Sequence, residues 1–523
     1  MENAMNLFPY VNGTMTSGEG TFSFPRSLSA ELGGFAPFCL KAFSERTGLL
    51  PATEEPWLLL KKSPDLSREE YELEIAQKTV TVTAATEQGV IWALTTLFML
   101  AENGMVTCCS LRDTPRFNHR GLSLDVVRQF FPAEEVRKII EQLSLVKMNV
   151  LHFHLSDDQG WRIESERYPL LHGTSGEYYT KEELRSIVAF AADRGVEVIP
   201  EIDLPGHTAA VLAAYPELGC SGKKVSLPEY GGIFTDILCA GRESTYEFLE
   251  SILDEIVPLF PSPRFHIGGD EAPRKAWKEC PECNDAFRRL HCKDWADLQG
   301  HFSSRVADML KKRGKTPVCW SEVLNSEVRP DSMQIQYWNI NEQRRVSTWA
   351  SSGGEVIFSD MFDLYFDYPY SMTPLKRVFR LDPKISGKNV GITGVECAVW
   401  CERIRDCERL ETRLFPRLYA VADRAWGGKK PDYRSYRLNL KRLCDRAASS
   451  GIASTPEDWW DPPKGAGSRK ETLTYFASMT ELPPDAEETT EAAPLSFAYV
   501  RCFLTKFLTP HEILPALRMM RGK

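Results

Sequence analysis

Apolar and polar positions alternate in two registers along this chain. Tyr71-Glu72-Leu73-Glu74-Ile75 and Val80-Thr81-Val82-Thr83 repeat with period two, the pattern of half-buried strands. Gly89 to Leu100 is a longer apolar stretch, which predicts a helix packed on that sheet. Arg112-Asp113-Thr114-Pro115 reads as a linker. From about 116 to 430, short apolar runs alternate with helical patterns. The runs are Gly121–Val126, Val150–Leu155, Val196–Asp203, Arg264–Gly268, Pro317–Trp320, Gln334–Trp338, Glu355–Ser359 and Gly391–Trp400. Pro132-Ala133-Glu134-Glu135 begins one intervening helix, with Pro early and acids in the first turn, and Lys181 to Arg194 forms another.

Eight strands with helices between most of them predict an α/β architecture, a (β/α)8 TIM barrel. The expected division is an N-terminal α+β domain at 1–115, the barrel at 116–430 and a helical C-terminal region at 431–523. That last region reads as amphipathic, with a Pro- and Glu-rich surface insertion near Leu482 to Pro494, and carries no recognisable chemistry.

Composition narrows the class. A chain of 523 residues is too long for one compact domain. Its 43% hydrophobic and 26% charged residues are ordinary for a globular protein. The net charge of -9, with no Lys/Arg run, disfavours a nucleic-acid partner. No apolar run is long enough to span a bilayer, so no membrane partner is expected. Residues Met1 to Leu7 show no basic segment leading into an apolar one, and the fourteen cysteines follow no regular framework. Reduced thiols and a cytoplasmic location are therefore the expectation. Oligomeric state is not legible.

The densest chemical signal is Phe265-His266-Ile267-Gly268-Gly269-Asp270-Glu271. Neighbouring acids on a regular strand point to opposite faces. Two glycines let the backbone leave strand geometry and admit a ligand, so both acids could face one cleft. Paired carboxylates suit general acid/base work because each perturbs the other's proton affinity. The alternative is a solvated acidic loop after a strand. Position favours the first reading: Asp157, His207, Asp270, Glu271, Glu322, Trp338 and Glu402 all fall at or just after expected strand C-termini, the face where barrel enzymes place their sites. Helix N-capping would account for some of these acids, but not for the tryptophans beside them.

In order along the barrel region come Arg120 to Arg128 (RGLSLDVVR), Asn149 to Arg162 (NVLHFHLSDDQGWR), Glu201 to His207 (EIDLPGH), His266 to Glu271 (HIGGDE), Trp320-Ser321-Glu322, Gln336-Tyr337-Trp338 and Glu396 to Glu402 (ECAVWCE). These stretches resemble the family-20 glycoside hydrolases, the β-N-acetylhexosaminidases, and the first 115 residues look like the α+β domain that precedes the barrel in that family. The resemblance implies an exo-acting retaining enzyme on terminal β-linked GlcNAc or GalNAc of an oligosaccharide or glycoconjugate, with no metal or cofactor. The substrate's own acetamido oxygen would attack the anomeric carbon. It further implies Glu271 as acid and then base, Asp270 as the carboxylate that stabilises the acetamido group, and His207 with Asp157 as a chain behind Glu271. His207 could equally be a satisfied core histidine. Tyr365 would bind the acetamido carbonyl, with Tyr368 and Tyr370 as rivals. Trp320, Trp338 and Trp400 would wall the pocket. Arg128, Asp367 and Glu402 would bind sugar hydroxyls; a surface ion pair is the other reading of Arg128. Asp158 and Glu322 are expected to be structural.

Three competing readings stay open. His152-x-His154 with His207, His266 and Asp270 resembles the ligand set of a metal-dependent hydrolase. A disaccharide-releasing relative, lacto-N-biosidase-like, would share the motifs. A non-catalytic sugar-binding barrel is disfavoured by the retained acid pair. A zinc protease of the His-Glu-x-x-His kind is excluded, since that motif does not occur. Separately, Cys280-x2-Cys283 with His291 and Cys292 could form a structural zinc site, with reduced loop thiols the favoured alternative.

Overall fold

The computed structural model describes residues 7–388, 390–429, 431–463 and 470–475. Most of the C-terminal region, including the expected insertion at Leu482 to Pro494, lies outside the described residues.

The N-terminal domain is a six-stranded mixed sheet of order β1-β6-β4-β5-β3-β2. Its strands are β1 Thr14–Ser23, β2 Ala30–Glu31, β3 Leu58–Lys62, β4 Tyr71–Ile75, β5 Val80–Ala84 and β6 Met105–Asp113. The period-two pattern does what it predicts: Tyr71, Leu73, Ile75, Val80 and Val82 point into one core while alternate residues are less buried. The expected helix spans Glu87–Leu100, beginning slightly early because the Thr86 side chain accepts from Gly89 N–H and caps it.

The barrel closes from eight parallel strands: β7 His119–Asp125, β8 Val150–His154, β11 Glu197–Glu201, β12 Arg264–His266, β13 Thr316–Trp320, β14 Gln334–Tyr337, β15 Val356–Phe358 and β16 Ile392–Val399. β16 pairs with β7 to complete the ring. A small hairpin, β9 Ser156–Asp157 and β10 Gly160–Trp161, sits on the loop after β8. Helices cover the outer face, so the strands are buried on both sides and read as near-continuous apolar runs. The helix Lys181–Ala192 begins with a reciprocal capping box between Thr180 and Glu183. Among the described residues no helix is long and apolar enough to cross a membrane.

The expected linker at 112–115 is corrected by the structure. Arg112 and Asp113 end strand β6, and Asp113 is fully buried. Its carboxylate accepts from Tyr71 Oη at 2.9 Å, Trp426 Nε1 at 2.9 Å and Lys147 Nζ at 3.0 Å. Arg120 crosses the same seam to Glu69 at 2.5 Å. Short polar residues resemble a loop in sequence; here Asp113 is buried because its partners Lys147 and Trp426 lie outside the N-terminal sheet, while Arg112 stays exposed and pairs with Glu70. Phe8 and Tyr10 likewise pack into the barrel core, against Tyr436 of the helix Tyr433–Ala448.

Candidate active site

The chain leaves β12 at His266 and turns through Gly268 (φ +65°) and Gly269 (φ +105°). A Cβ on Gly268 would collide with Asp203, at 1.6 Å from Oδ1, so only glycine fits both the conformation and the contact. Glu271 itself has φ +41° and His207, facing it, φ +53°. Two bulky residues in the left-handed region, side by side, mark stored strain of the kind found at functional sites.

The turn brings Asp270 and Glu271 to one cleft. His207 Nε2 lies 3.9 Å from Asp270 Oδ2 and 3.8 Å from Glu271 Oε2. His207 Nδ1 is held on the opposite side by Asp157 at 3.1 Å and Asp158 at 3.2 Å. Asp157 is a hub: it also meets His154 Nε2 at 2.8 Å and Arg128 Nη2 at 2.6 Å. Arg128 is further fixed by Asp125 and Gln159, and lies 5.4 Å over the Trp400 ring.

Electrostatics separate the acids. Burial pushes Glu271 up to about 7; His207 opposes and Asp270 reinforces the shift. Burial also raises Asp270, helped by Glu201 and opposed by His207. Burial alone would discharge His207, but Asp157 outweighs it and holds the imidazolium. Asp157 shows the reverse balance: burial raises it, yet Arg128 and His207 keep it well below the usual carboxylate range.

These groups open on a cavity of about 150 Å3. Trp338, Tyr365 and Trp400 line it: the Tyr365 ring stacks on Trp338 at 6.2 Å and meets Trp400 edge-on at 6.0 Å. Glu322 stands behind, accepting from Trp338 Nε1 at 3.0 Å. Asp367 and Glu402 form the far end. Burial and Glu402 push Asp367 up to about 6, against the bond it accepts from Tyr475 Oη at 2.6 Å.

Two expected placements need correction. Trp320 does not line the cavity; it is 1% exposed, donates its indole N–H to Glu201 at 2.9 Å and packs on His266 beneath the floor. Tyr370 lies away from the cavity, its hydroxyl donating to the Phe415 carbonyl and its ring under Arg417, which leaves Tyr365 and Tyr368. The metal-hydrolase set is divided between two clusters, His207 with Asp270 and Glu271 in the cleft and His152 with His266 around Glu201. Both nitrogens of His152 meet carboxylates, Glu396 at 2.8 Å and Glu201 at 3.1 Å, and His266 turns to the same Glu201 below the floor, apart from His207 and Asp270.

Sequence reasoning missed Asp203, Met361, Arg403 and Tyr475 as lining residues, and named His154 only as a metal-ligand candidate. His154 and Arg403 sat within or beside the quoted motifs. Tyr475 comes from the C-terminal region and had no pattern to reveal it.

Three buried polar atoms around the cavity lack a hydrogen-bond partner among the described residues: Asp270 Oδ1, His207 Nε2 and Asp367 Oδ1. Buried polar atoms are rarely left so, and these border the space a ligand would fill.

Known proteins agree with this layout. Residues 117–429, more than half the chain, match the glycosyl hydrolase family 20 catalytic domain, and residues 38–114 match domain 2 of the same family. A β-hexosaminidase of Porphyromonas gingivalis is 30% identical over 87% of this chain, which spans 65% of that protein's length. The crystal structure of a Bacteroides fragilis β-N-acetylhexosaminidase superposes with TM-score 0.79 at 29% identity, covering 86% of this chain and 97% of that one. An exo β-N-acetylglucosaminidase from Vibrio harveyi, solved with N-acetylglucosamine, gives 0.76 at 26% identity over 87% and 79%. The chain belongs to glycosyl hydrolase family 20.

Proposed function

We propose that the chain is an exo-acting, retaining β-N-acetylhexosaminidase that releases terminal β-linked GlcNAc or GalNAc by substrate-assisted catalysis. The observation that carries this reading is the adjacent acid pair with divided roles. Glu271 is held protonated to about pH 7, while Asp270 keeps a buried oxygen, Oδ1, without a partner among the described residues.

In the first step the acetamido oxygen attacks the anomeric carbon, the glycosidic C–O bond breaks, and the Glu271 proton passes to the leaving oxygen. Asp270 accepts from the acetamido N–H and stabilises the oxazolinium cation, a task that needs Asp270 ionised. In the second step water attacks the anomeric carbon, Glu271 takes its proton, and the acetamido group re-forms. Two inversions give retention. His207, fixed by Asp157, is a cation between the two acids; it orients Glu271 and favours ionisation of Asp270. Tyr365 would hold the acetamido oxygen, and Trp338 and Trp400 would stack on the ring.

Exo action is supported by the size of the cavity. Its roughly 150 Å3 is well under the ~300–1,000 Å3 of drug-sized sites, so it suits one sugar ring. Asp367, Glu402 and Arg403 at its end offer charged partners for the hydroxyls. The N-acetylglucosamine in the Vibrio harveyi structure supports the choice of sugar.

The test is nitrophenol release from aryl β-N-acetylglucosaminide and β-N-acetylgalactosaminide beside aryl β-glucoside, with the first-formed anomer followed by NMR. Turnover of the acetamido sugars alone, giving the β-anomer first, is expected. An α-anomer first, or equal turnover of the glucoside, would overturn substrate assistance. No turnover of either acetamido monosaccharide, with release of the intact disaccharide from an aryl lacto-N-bioside, would move the assignment to the disaccharide-releasing relative.

A further inference from the structure

Cys220, Cys239, Cys280 and Cys283 converge although they are scattered in sequence. Their four sulfurs all lie within 4.8 Å of one another. Cys220 Sγ is 3.7 Å from Cys283 Sγ, and Cys239 Sγ is 3.5 Å from Cys283 and 3.8 Å from Cys280. A tetrahedral Zn2+ with Zn–S bonds of ~2.3 Å spaces its sulfurs ~3.8 Å apart. Three of the six edges, at 3.5 to 3.8 Å, lie close to that figure, and the other three are within 4.8 Å.

Two segments each supply a pair. Cys220 and Cys239 flank a short antiparallel pairing, in which Gly219 faces Leu238 and Cys239 N–H donates to the Leu218 carbonyl at 2.9 Å. Cys280 and Cys283 open the helix Pro281–Arg289, one as its N-cap and one in its first turn. Gly241 lets the segments meet, since a Cβ there would lie 2.4 Å from Cys283 N. Arg242 brackets the cluster, donating to the Gly219 and Cys220 carbonyls and to Glu282. A cation beside four sulfurs offsets thiolate charge.

We propose that these four cysteines hold a structural Zn2+. The ligand set is soft, complete and largely buried, with no side left open for substrate, which distinguishes a structural site from a catalytic one. The grouping suggested by sequence was half right. Cys280 and Cys283 belong to it, but Cys292 lies past the far end of the helix, where its N–H bonds Phe287, and neither it nor His291 joins the cluster.

The ion would clamp a loop that borders the active cavity. Cys220 and Cys239 close the loop 221–238, whose Tyr230 carbonyl accepts from Gln159 at 2.8 Å and whose Gly231 runs so near Glu402 that a Cβ there would lie 2.7 Å from its Cγ. Cys280 ties that loop to the segment leaving Glu271, where Trp277 Nε1 also bonds the Leu238 carbonyl at 2.9 Å.

The test is metal content of the full chain, expressed with added zinc and purified in reductant without chelator. About one zinc per chain is expected, retained in Cys292→Ser and His291→Ala and reduced at least tenfold in Cys239→Ser. Because Cys239→Ser could fail to fold, a second measurement uses the unaltered protein. Titration with an organomercurial should release the zinc as four thiols react, and a strong chelator should lower Tm until zinc is restored. A folded full chain with under a tenth of an equivalent, iron in place of zinc, or zinc lost with Cys292→Ser and kept in Cys239→Ser would each overturn the proposal.

Discussion

His207 Nδ1 lies 3.1 Å from Asp157 Oδ1, and this contact leaves Nε2 pointing between Asp270 and Glu271. Asp157 keeps the imidazole charged, and that charge pulls the Glu271 pKa down against burial. Removing it has a signed consequence. In His207→Gln the Glu271 pKa rises, so the alkaline limb of kcat/KM moves to higher pH while kcat falls. A limb that stays put or moves down would remove His207 as the cation facing the acid.

The unaltered enzyme should show a bell-shaped profile of kcat/KM. In the proposed mechanism Glu271 works protonated, so activity should fall as pH rises through about 7. The same mechanism needs Asp270 ionised, and burial raises it above its ordinary value, so the acid limb should lie above the normal aspartate range. A profile flat from pH 5 to 9 would contradict both assignments.

Replacing each acid should give a different dependence on the leaving group. Glu271→Gln loses about 10²–10⁴ in kcat on natural linkages and much less on dinitrophenyl glycosides, which need no proton. Asp270→Asn should lose about 10²–10³ on both alike, because its proposed role is at the acetamido group. Comparison of the two variants on paired substrates decides between them.

The barrel was legible because each parallel strand is an apolar run closed by turn residues, and the acid pair because two glycines precede it. What stayed hidden depended on distant partners. Arg112-Asp113 looks like a loop until Lys147 and Trp426 are placed beside it. Trp320 sits at a strand C-terminus much as Trp338 does just after β14, yet Glu201 holds it below the floor. Cys220 and Cys239 have no spacing that marks them, and only the fold carries them to the Cys280-x2-Cys283 pair.

The seam between the domains gives a prediction about stability. Lys147 and Asp113 are both buried and 3.0 Å apart. Asp113→Ala leaves the ammonium with Tyr71 Oη but without its counter-ion, at a cost of about 3–5 kcal/mol. Urea unfolding should show this loss with activity per folded molecule retained, since neither residue lines the cavity.

Tyr475 supplies the last prediction, and it concerns affinity. Its hydroxyl donates to Asp367 Oδ2 at 2.6 Å and holds down a carboxylate that burial has already pushed up to about 6. Tyr475→Phe releases that restraint, so Asp367 gains a proton more readily and its Oδ2 loses a donor. A carboxylate that is less ionised and less fixed binds a sugar hydroxyl less well. The loss of one hydrogen bond to a charged group is worth about 1.5–3 kcal/mol, which sets a KM increase of roughly tenfold or more near pH 6. The effect should shrink toward pH 8, where Asp367 ionises in either case. Since Tyr475 is remote from the acid pair in role, kcat should change little. A fall in kcat at constant KM would place Tyr475 in the chemical step and not in holding the sugar.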